Sequence, residues 1–163
     1  MKPLIAYFTH SARHSTQRVA NTIHVLTNGD LLPIIPIRPY PAEREWCEKM
    51  VTEQLTSGDY PALCPTITAE AFAAYDLVYL GYPAWMGTLP PPICAFLATH
   101  DFAGKHIVPF STYENSGLGD GVEQILSRTN SLGTLEALAF HVDDIGSRRW
   151  ERTMIGWTSR TCR

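Results

Sequence analysis

The chain is expected to be an α/β protein, a parallel sheet covered by helices on both faces. Short apolar runs at Leu4 to Thr9, Leu31 to Ile35, Leu77 to Leu80, His106 to Phe110 and Leu135 to His141 alternate with amphipathic stretches in a βαβα order. That is the pattern of parallel strands joined by crossover helices. The run Leu77-Val78-Tyr79-Leu80 is unbroken in its apolarity, as a strand buried on both faces requires. A length of 163 residues suits one hydrophobic core and is short for two, so residues 1–163 are expected to form a single domain.

Leu4 to Thr9 reads as the first strand, ending in polar loop residues. From Thr16 the spacing is helical, with Val19, Ala20, Ile23 and Leu26 on one face, and Asn28-Gly29 stops the helix. Leu31 to Ile35 is the second strand; Pro33 lacks an N–H, which places it at an edge. Pro36 to Pro41 is an extended connection. Glu43 to Leu55 is helical in spacing and ends at Ser57-Gly58-Asp59, and Tyr60 to Thr68, with Pro61 and Pro65, is a loop before a short helix at Ala69 to Ala74. Leu77 to Leu80 is the third strand, expected at the centre. After the Tyr82 to Pro92 loop follow a helix at Ile93 to Thr99, a strand at His106 to Phe110, a helix at Leu118 to Arg128 and a fifth strand at Leu135 to His141. Arg148 to Ser159 is a closing helix that turns Trp150, Met154 and Trp157 inward.

A net charge of -3, a pI near 6.0 and 13 scattered Lys and Arg residues give no field that would attract nucleic acid. No segment approaches the roughly 20 apolar residues of a membrane helix, so no membrane insertion is expected. The N-terminus has too short an apolar stretch, and no small-residue cleavage pattern, for a secretory signal. Cys47, Cys64, Cys94 and Cys162 form no C-x-x-C pair and have no His at zinc-ligand spacing. Free thiols and a cytoplasmic location are the expectation.

In open parallel α/β sheets, ligands bind outside the carboxyl ends of the strands, where strand order reverses. Strand order 2-1-3-4-5 would bring three loops together there. The first is Thr9-His10-Ser11-Ala12-Arg13-His14-Ser15-Thr16. Its hydroxyls and the N–H groups of the following helix suit a phosphate, and Arg13 or His14 would add positive charge; Ser15 or Thr16 would equally serve as a plain helix cap. The second, Gly81-Tyr82-Pro83-Ala84-Trp85-Met86-Gly87-Thr88, carries aromatics able to stack on a planar ligand and a glycine that permits close approach, although Trp85 would also serve as interior packing. The third, Ser111-Thr112-Tyr113-Glu114-Asn115-Ser116-Gly117-Leu118-Gly119, could read the polar edge of a heterocycle or be a turn capped by Ser116.

His10 and His14 are four apart but fall in a loop with no acidic pair nearby, so no metal site is expected. Asp143-Asp144 would suit a metal or phosphoacceptor pair. A response-regulator receiver domain, however, needs its acids after the first and third strands, where Thr9-His10 and Gly81-Tyr82 stand. There is no G-x-S-x-G hydrolase elbow.

With these segments in view, the chain resembles the flavodoxin-like family, in particular bacterial flavodoxins and flavodoxin-like FMN oxidoreductases, over nearly its whole length. The resemblance is carried by YFT-x-S near the start, IPIRPYPAE, DLVYLGYPAWMGTLPPPICAFL and DFAGKHIVPFSTYENSGLG. It implies a flavodoxin-like three-layer sandwich with a five-stranded parallel sheet in order 2-1-3-4-5, and FMN as cofactor. The implied activity is electron transfer to a redox protein or NAD(P)H-linked reduction of a quinone-type acceptor, and a homodimer is compatible with it.

Thr9, Ser11 and Thr16 match the hydroxyls of the family's phosphate loop, Pro83, Trp85 and Gly87 its flavin-flanking loop, and Thr112, Ser116 and Gly117 its third loop. Together with the reading of the loops themselves, the expected FMN contacts are Thr9, His10, Ser11, Arg13, His14, Ser15 and Thr16; then Tyr82, Pro83, Ala84, Trp85, Met86 and Gly87; then Thr112, Tyr113, Ser116 and Gly117. The chemistry would sit at flavin N5, with no catalytic side chain. Ala12 stands where the family has glycine, the run before Thr16 is two residues longer, Met86 replaces a second tryptophan and Asn115 a glycine. Those departures carry a reading of another class: a non-catalytic flavodoxin-fold module with a degenerate phosphate loop.

Overall fold

The computed structural model describes residues 2–162. Strands β1 (Leu4–Tyr7), β2 (Asp30–Pro33), β3 (Leu77–Pro83), β4 (His106–Tyr113), β5 (Gly133–Thr134) and β6 (Leu138–His141) make one sheet in which every neighbouring pair is parallel. The order is β2-β1-β3-β4, and β5 and β6 share the edge beyond β4. The sheet therefore has five strand positions in the order 2-1-3-4-5.

The period of two sends alternate residues to opposite layers. Ile5, Tyr7, Leu77, Tyr79, Val108 and Phe110 pack with α1 (Ser15–Thr27) and α6 (Arg148–Thr161), through Val19, Ala20, Ile23, Trp150, Met154 and Trp157. Leu4, Ala6, Phe8, Val78, Leu80, Tyr82 and Ile107 pack with α2 (Arg44–Ser57), α3 (Ala69–Ala73), α4 (Pro91–Thr99) and α5 (Gly121–Arg128). The expected inward face of α6 is as read from its spacing. On α1 the buried stripe stops at Ile23, because Leu26 in the last turn is 40% exposed.

The fifth strand departs from the expected continuous run. The Ile107 carbonyl accepts the Leu135 N–H at 2.8 Å, so Ile107 directs its main-chain groups to this edge, and so does Pro109 two residues on. Pro109 has no N–H to give, and the edge breaks there into β5 and β6. Across the break His106 pairs with Gly133 but Phe110 with Leu138, so the edge carries one residue more than β4. Trp157 Nε1 donates to the Glu136 carbonyl at 2.7 Å and satisfies that one acceptor of the break.

Candidate functional site

The three loops leave the carboxyl ends of β1, β3 and β4. The first contains a turn in which the His14 N–H donates to the Ser11 carbonyl at 2.9 Å, and α1 begins behind it. The left-handed position is His14 (φ 50°, ψ 38°) and not Ala12, so the alanine standing at the expected glycine carries no positive-φ strain. No side chain caps α1, and its first turn holds no acidic residue. Ser15 is 3% exposed and its hydroxyl has no hydrogen-bond partner among the described residues. Thr16, 2% exposed, has its Oγ1 2.8 Å from Oγ1 of Thr112. Thr9 and His10 are half-buried, and Ser11, Arg13 and His14 are exposed.

Thr112 also joins the second loop, its carbonyl accepting the Ala84 N–H at 2.9 Å, and the Ser116 hydroxyl donates to the Ala84 carbonyl at 3.3 Å. Met86 (φ 51°) and Gly87 (φ 72°) are both left-handed, and the Thr88 N–H donates to the Trp85 carbonyl at 3.0 Å. This is a type I′ turn, which favours glycine at its second central residue. The third loop packs against this turn at Gly119, where a Cβ would lie 1.9 Å from the Gly87 carbonyl oxygen. That oxygen accepts the Asp120 N–H at 3.0 Å. The Ser111 hydroxyl donates to the Gly117 carbonyl at 2.9 Å and closes the third loop.

Trp85 sits among three rings, edge-on to Phe8 at 5.2 Å, Tyr40 at 5.2 Å and His10 at 5.4 Å between centroids. Such contacts fix the plane of an indole, while Trp85 stays only half-buried. His10 Nε2 donates to the Pro41 carbonyl at 3.1 Å, which ties the first loop to the Pro36–Pro41 connection. Tyr40 and Phe8 were missed as site residues; the signal was an aromatic between two prolines in the connection, and an aromatic at the last position of the first apolar run.

Tyr82 corrects an expectation. It is a strand residue with 0% exposure whose ring faces α5, where a Cβ at Gly121 would lie 2.1 Å from its hydroxyl oxygen. The strand runs on to Pro83, and its alternation turns Tyr82 inward. Burial pushes its phenol pKa up, and its hydroxyl is unpartnered among the described residues. It is a packing residue beneath the loops and presents no ring at the surface. Gly81 is likewise a packing glycine, since a Cβ would strike the Phe110 ring at 2.1 Å.

The Arg13 guanidinium is engaged elsewhere: it donates to Asp143 Oδ1 at 2.7 Å, beyond β6. That hydrogen bond holds the Asp143 carboxyl below the usual carboxylate range. No group of metal-ligating side chains occurs among the described residues. A concavity of about 300 Å³ lies elsewhere, between Ile34, Pro61, Leu63, Phe96 and His100, and none of the three loops lines it.

A doubly wound parallel sheet with three loops converging at its switch point defines the ligand-binding α/β class of open sheets. The chain belongs to the flavodoxin family, whose model matches residues 2–137. Among solved structures, it is similar to a Bacteroides eggerthii protein described as a flavoprotein, with 26% identity, a TM-score of 0.80, and 99% of this chain and 98% of that chain covered. A flavoprotein from Lactobacillus acidophilus, solved in complex with FMN, is 20% identical with a TM-score of 0.69, covering 91% and 97%. Flavodoxin 2 from Bacillus cereus is 19% identical with a TM-score of 0.62, covering 98% and 96%. No curated protein matches the chain. No helix among the described residues is long and apolar enough to cross a membrane.

Proposed function

We propose that the three loops hold FMN and that the chain works as an FMN-dependent redox protein. The observation that carries this is the buried Ser15 hydroxyl, unpartnered among the described residues, at the uncapped N-terminus of α1, with no acidic residue in the first turn. A buried donor without an acceptor costs about 1–3 kcal/mol. The Thr16–Thr112 pair has two hydroxyl hydrogens and uses one between its oxygens, which leaves the other to donate. Free hydroxyl donors at a helix N-terminus match a phosphate and disfavour a cation. The FMN complex of the Lactobacillus relative supports the same cofactor.

FMN, when bound, supplies one- and two-electron transfer at its ring. This chain's part is to bind and orient. Ser15 and the first N–H groups of α1 would hold the phosphate, with Thr9 and Ser11 at the rim. Trp85, Pro83 and Met86 would flank the ring, Trp85 braced by Phe8, His10 and Tyr40. Tyr113, Ser116 and Gly117 would meet the polar edge of the heterocycle, above Thr112, whose hydroxyl and carbonyl are engaged by Thr16 and Ala84. The mild net charge of -3 argues against a dedicated electron carrier, whose partners are steered by a strongly acidic face, and so favours NAD(P)H-linked reduction of a quinone-type acceptor.

Titration of the purified protein with FMN, followed by flavin fluorescence, is expected to show saturable quenching, and turnover with NADPH and a quinone to follow. Quenching without turnover, with reduction only by a partner reductase, would favour the carrier. An unquenched flavin would establish the non-catalytic module with a degenerate phosphate loop in place of the FMN protein.

A further inference from the structure

Asp143 lies in the pair Asp143-Asp144, to which the proposed FMN site gives no role. Its carboxylate takes the Arg13 guanidinium at 2.7 Å, one residue from the left-handed His14 that opens α1. His141 holds Asp143 in place. Its Nε2–H donates to the Glu114 carbonyl at 3.1 Å, and its Nδ1 accepts the Asp143 N–H at 3.3 Å. Because the Glu114 carbonyl can only accept, Nε2 carries a proton, and Nδ1 also lies 3.9 Å from Asp143 Oδ2. The Glu114 carboxylate adds to the negative field on Arg13. The strongest cation of the first loop is thereby paired with the Asp143 carboxylate, while the buried Ser15 hydroxyl has no acceptor among the described residues.

We propose that Asp143 holds Arg13 out of the phosphate cradle and so determines how strongly the site weighs the charge of an anionic ligand. The pair is exposed, with 62% of the Arg13 and 66% of the Asp143 side chain accessible. Solvent screening makes such a pair weak and exchangeable, so Asp143 and a bound phosphate compete for one guanidinium. Loss of the carboxylate releases Arg13 to the phosphate, where a forked, charge-assisted contact is stronger than the contact to a neutral donor. A neutral ligand with the same ring gains nothing. The inference rests on the FMN reading for the identity of the ligand and not for the anion site itself.

The test compares the wild type, Asp143→Asn and the double variant Arg13→Gln/Asp143→Asn. Inorganic phosphate is titrated against the amide resonances of Ser15 and Thr16, and FMN and riboflavin are titrated by flavin fluorescence. The expected result is phosphate and FMN binding about tenfold tighter in Asp143→Asn, a steeper dependence on salt, unchanged riboflavin affinity, and return to the wild-type phosphate affinity in the double variant. An Asp143→Asn protein with unaltered phosphate affinity would overturn the proposal, as would a gain that survives in the double variant, since that gain would come from lost repulsion alone. Tighter phosphate binding without FMN binding in any of the three proteins would uphold the role of Asp143 and overturn the cofactor reading instead.

Discussion

The hydroxyls of Thr16 and Thr112 meet at 2.8 Å in the interior, 96 residues apart in sequence. Thr16 lies in the first turn of α1 and Thr112 near the end of β4, so the bond joins the phosphate-side loop to the third loop. Through its carbonyl, Thr112 also takes the Ala84 N–H, so one residue ties all three loops at the switch point.

Replacing Thr112 by Val leaves the Thr16 oxygen buried and unpaired. The expected cost is about 1–3 kcal/mol of stability, read from urea unfolding, with weaker FMN binding. The double variant Thr16→Val/Thr112→Val is expected to recover part of the loss, because removing both partners leaves no orphan. A double-mutant cycle in which the two losses simply add would refute the coupling.

Ser15→Ala separates cofactor binding from folding. It removes an unpartnered buried hydroxyl, so the apoprotein is expected to be as stable as the wild type or up to about 1 kcal/mol more stable. FMN affinity should fall about tenfold while riboflavin affinity holds. Equal weakening of both flavins would remove Ser15 from the phosphate cradle.

The second and third loops touch through Gly87 and Gly119. Gly119→Ala forces a Cβ onto the Gly87 carbonyl at φ 56° and is expected to cost about 4 kcal/mol or more. Gly58→Ala, at φ 72° with nothing near its Cβ, bears only the left-handed penalty of about 1–2 kcal/mol. Thermal melts of the two variants should differ accordingly.

Tyr82→Phe deletes a buried, unpartnered phenol and is expected to leave FMN binding unchanged and stability no lower. Trp85→Ala loses three edge-on ring contacts, costing about 3 kcal/mol, and FMN affinity should fall about tenfold. Fluorescence titrations showing the reverse order would make Tyr82 the flavin wall.

Acid sensitivity follows from Asp30, whose carboxylate accepts from Lys2 and Tyr75, each at 2.7 Å, and is held below the usual range by those two bonds. Its folded pKa lies under the unfolded value of about 3.9. The stabilisation is therefore present above about pH 4 and is lost as pH falls through the folded value. Tyr75→Phe is expected to flatten the fall of Tm as pH drops below about 4. An unchanged acid limb would show that Asp30 makes no contribution there.

How much of this was legible in the chain differs by element. The apolarity of Leu77 to Leu80 and the spacing of Trp150, Met154 and Trp157 are direct records of burial, because each strand or helix exposes its own period to the core. The fifth strand was misread as continuous because its break is imposed by Pro109 on the neighbouring strand. Tyr82 was misplaced because the third strand runs three residues past Leu80, where glycine and proline suggested a loop.

The sequence by itself determined the parallel α/β class, the five strand positions and the three loops at one end of the sheet, since all of these follow from patterns within a few residues of one another. Only the tertiary structure decided which groups in those loops are available. Thr16 is engaged by Thr112, the buried Ser15 hydroxyl has no partner among the described residues, Tyr82 is sealed beneath Gly121, and Arg13 is held by a carboxylate 130 residues further along the chain. The physical reason is that a hydrogen bond or an ion pair belongs to two residues at once, and when they are distant in sequence no local pattern records their meeting.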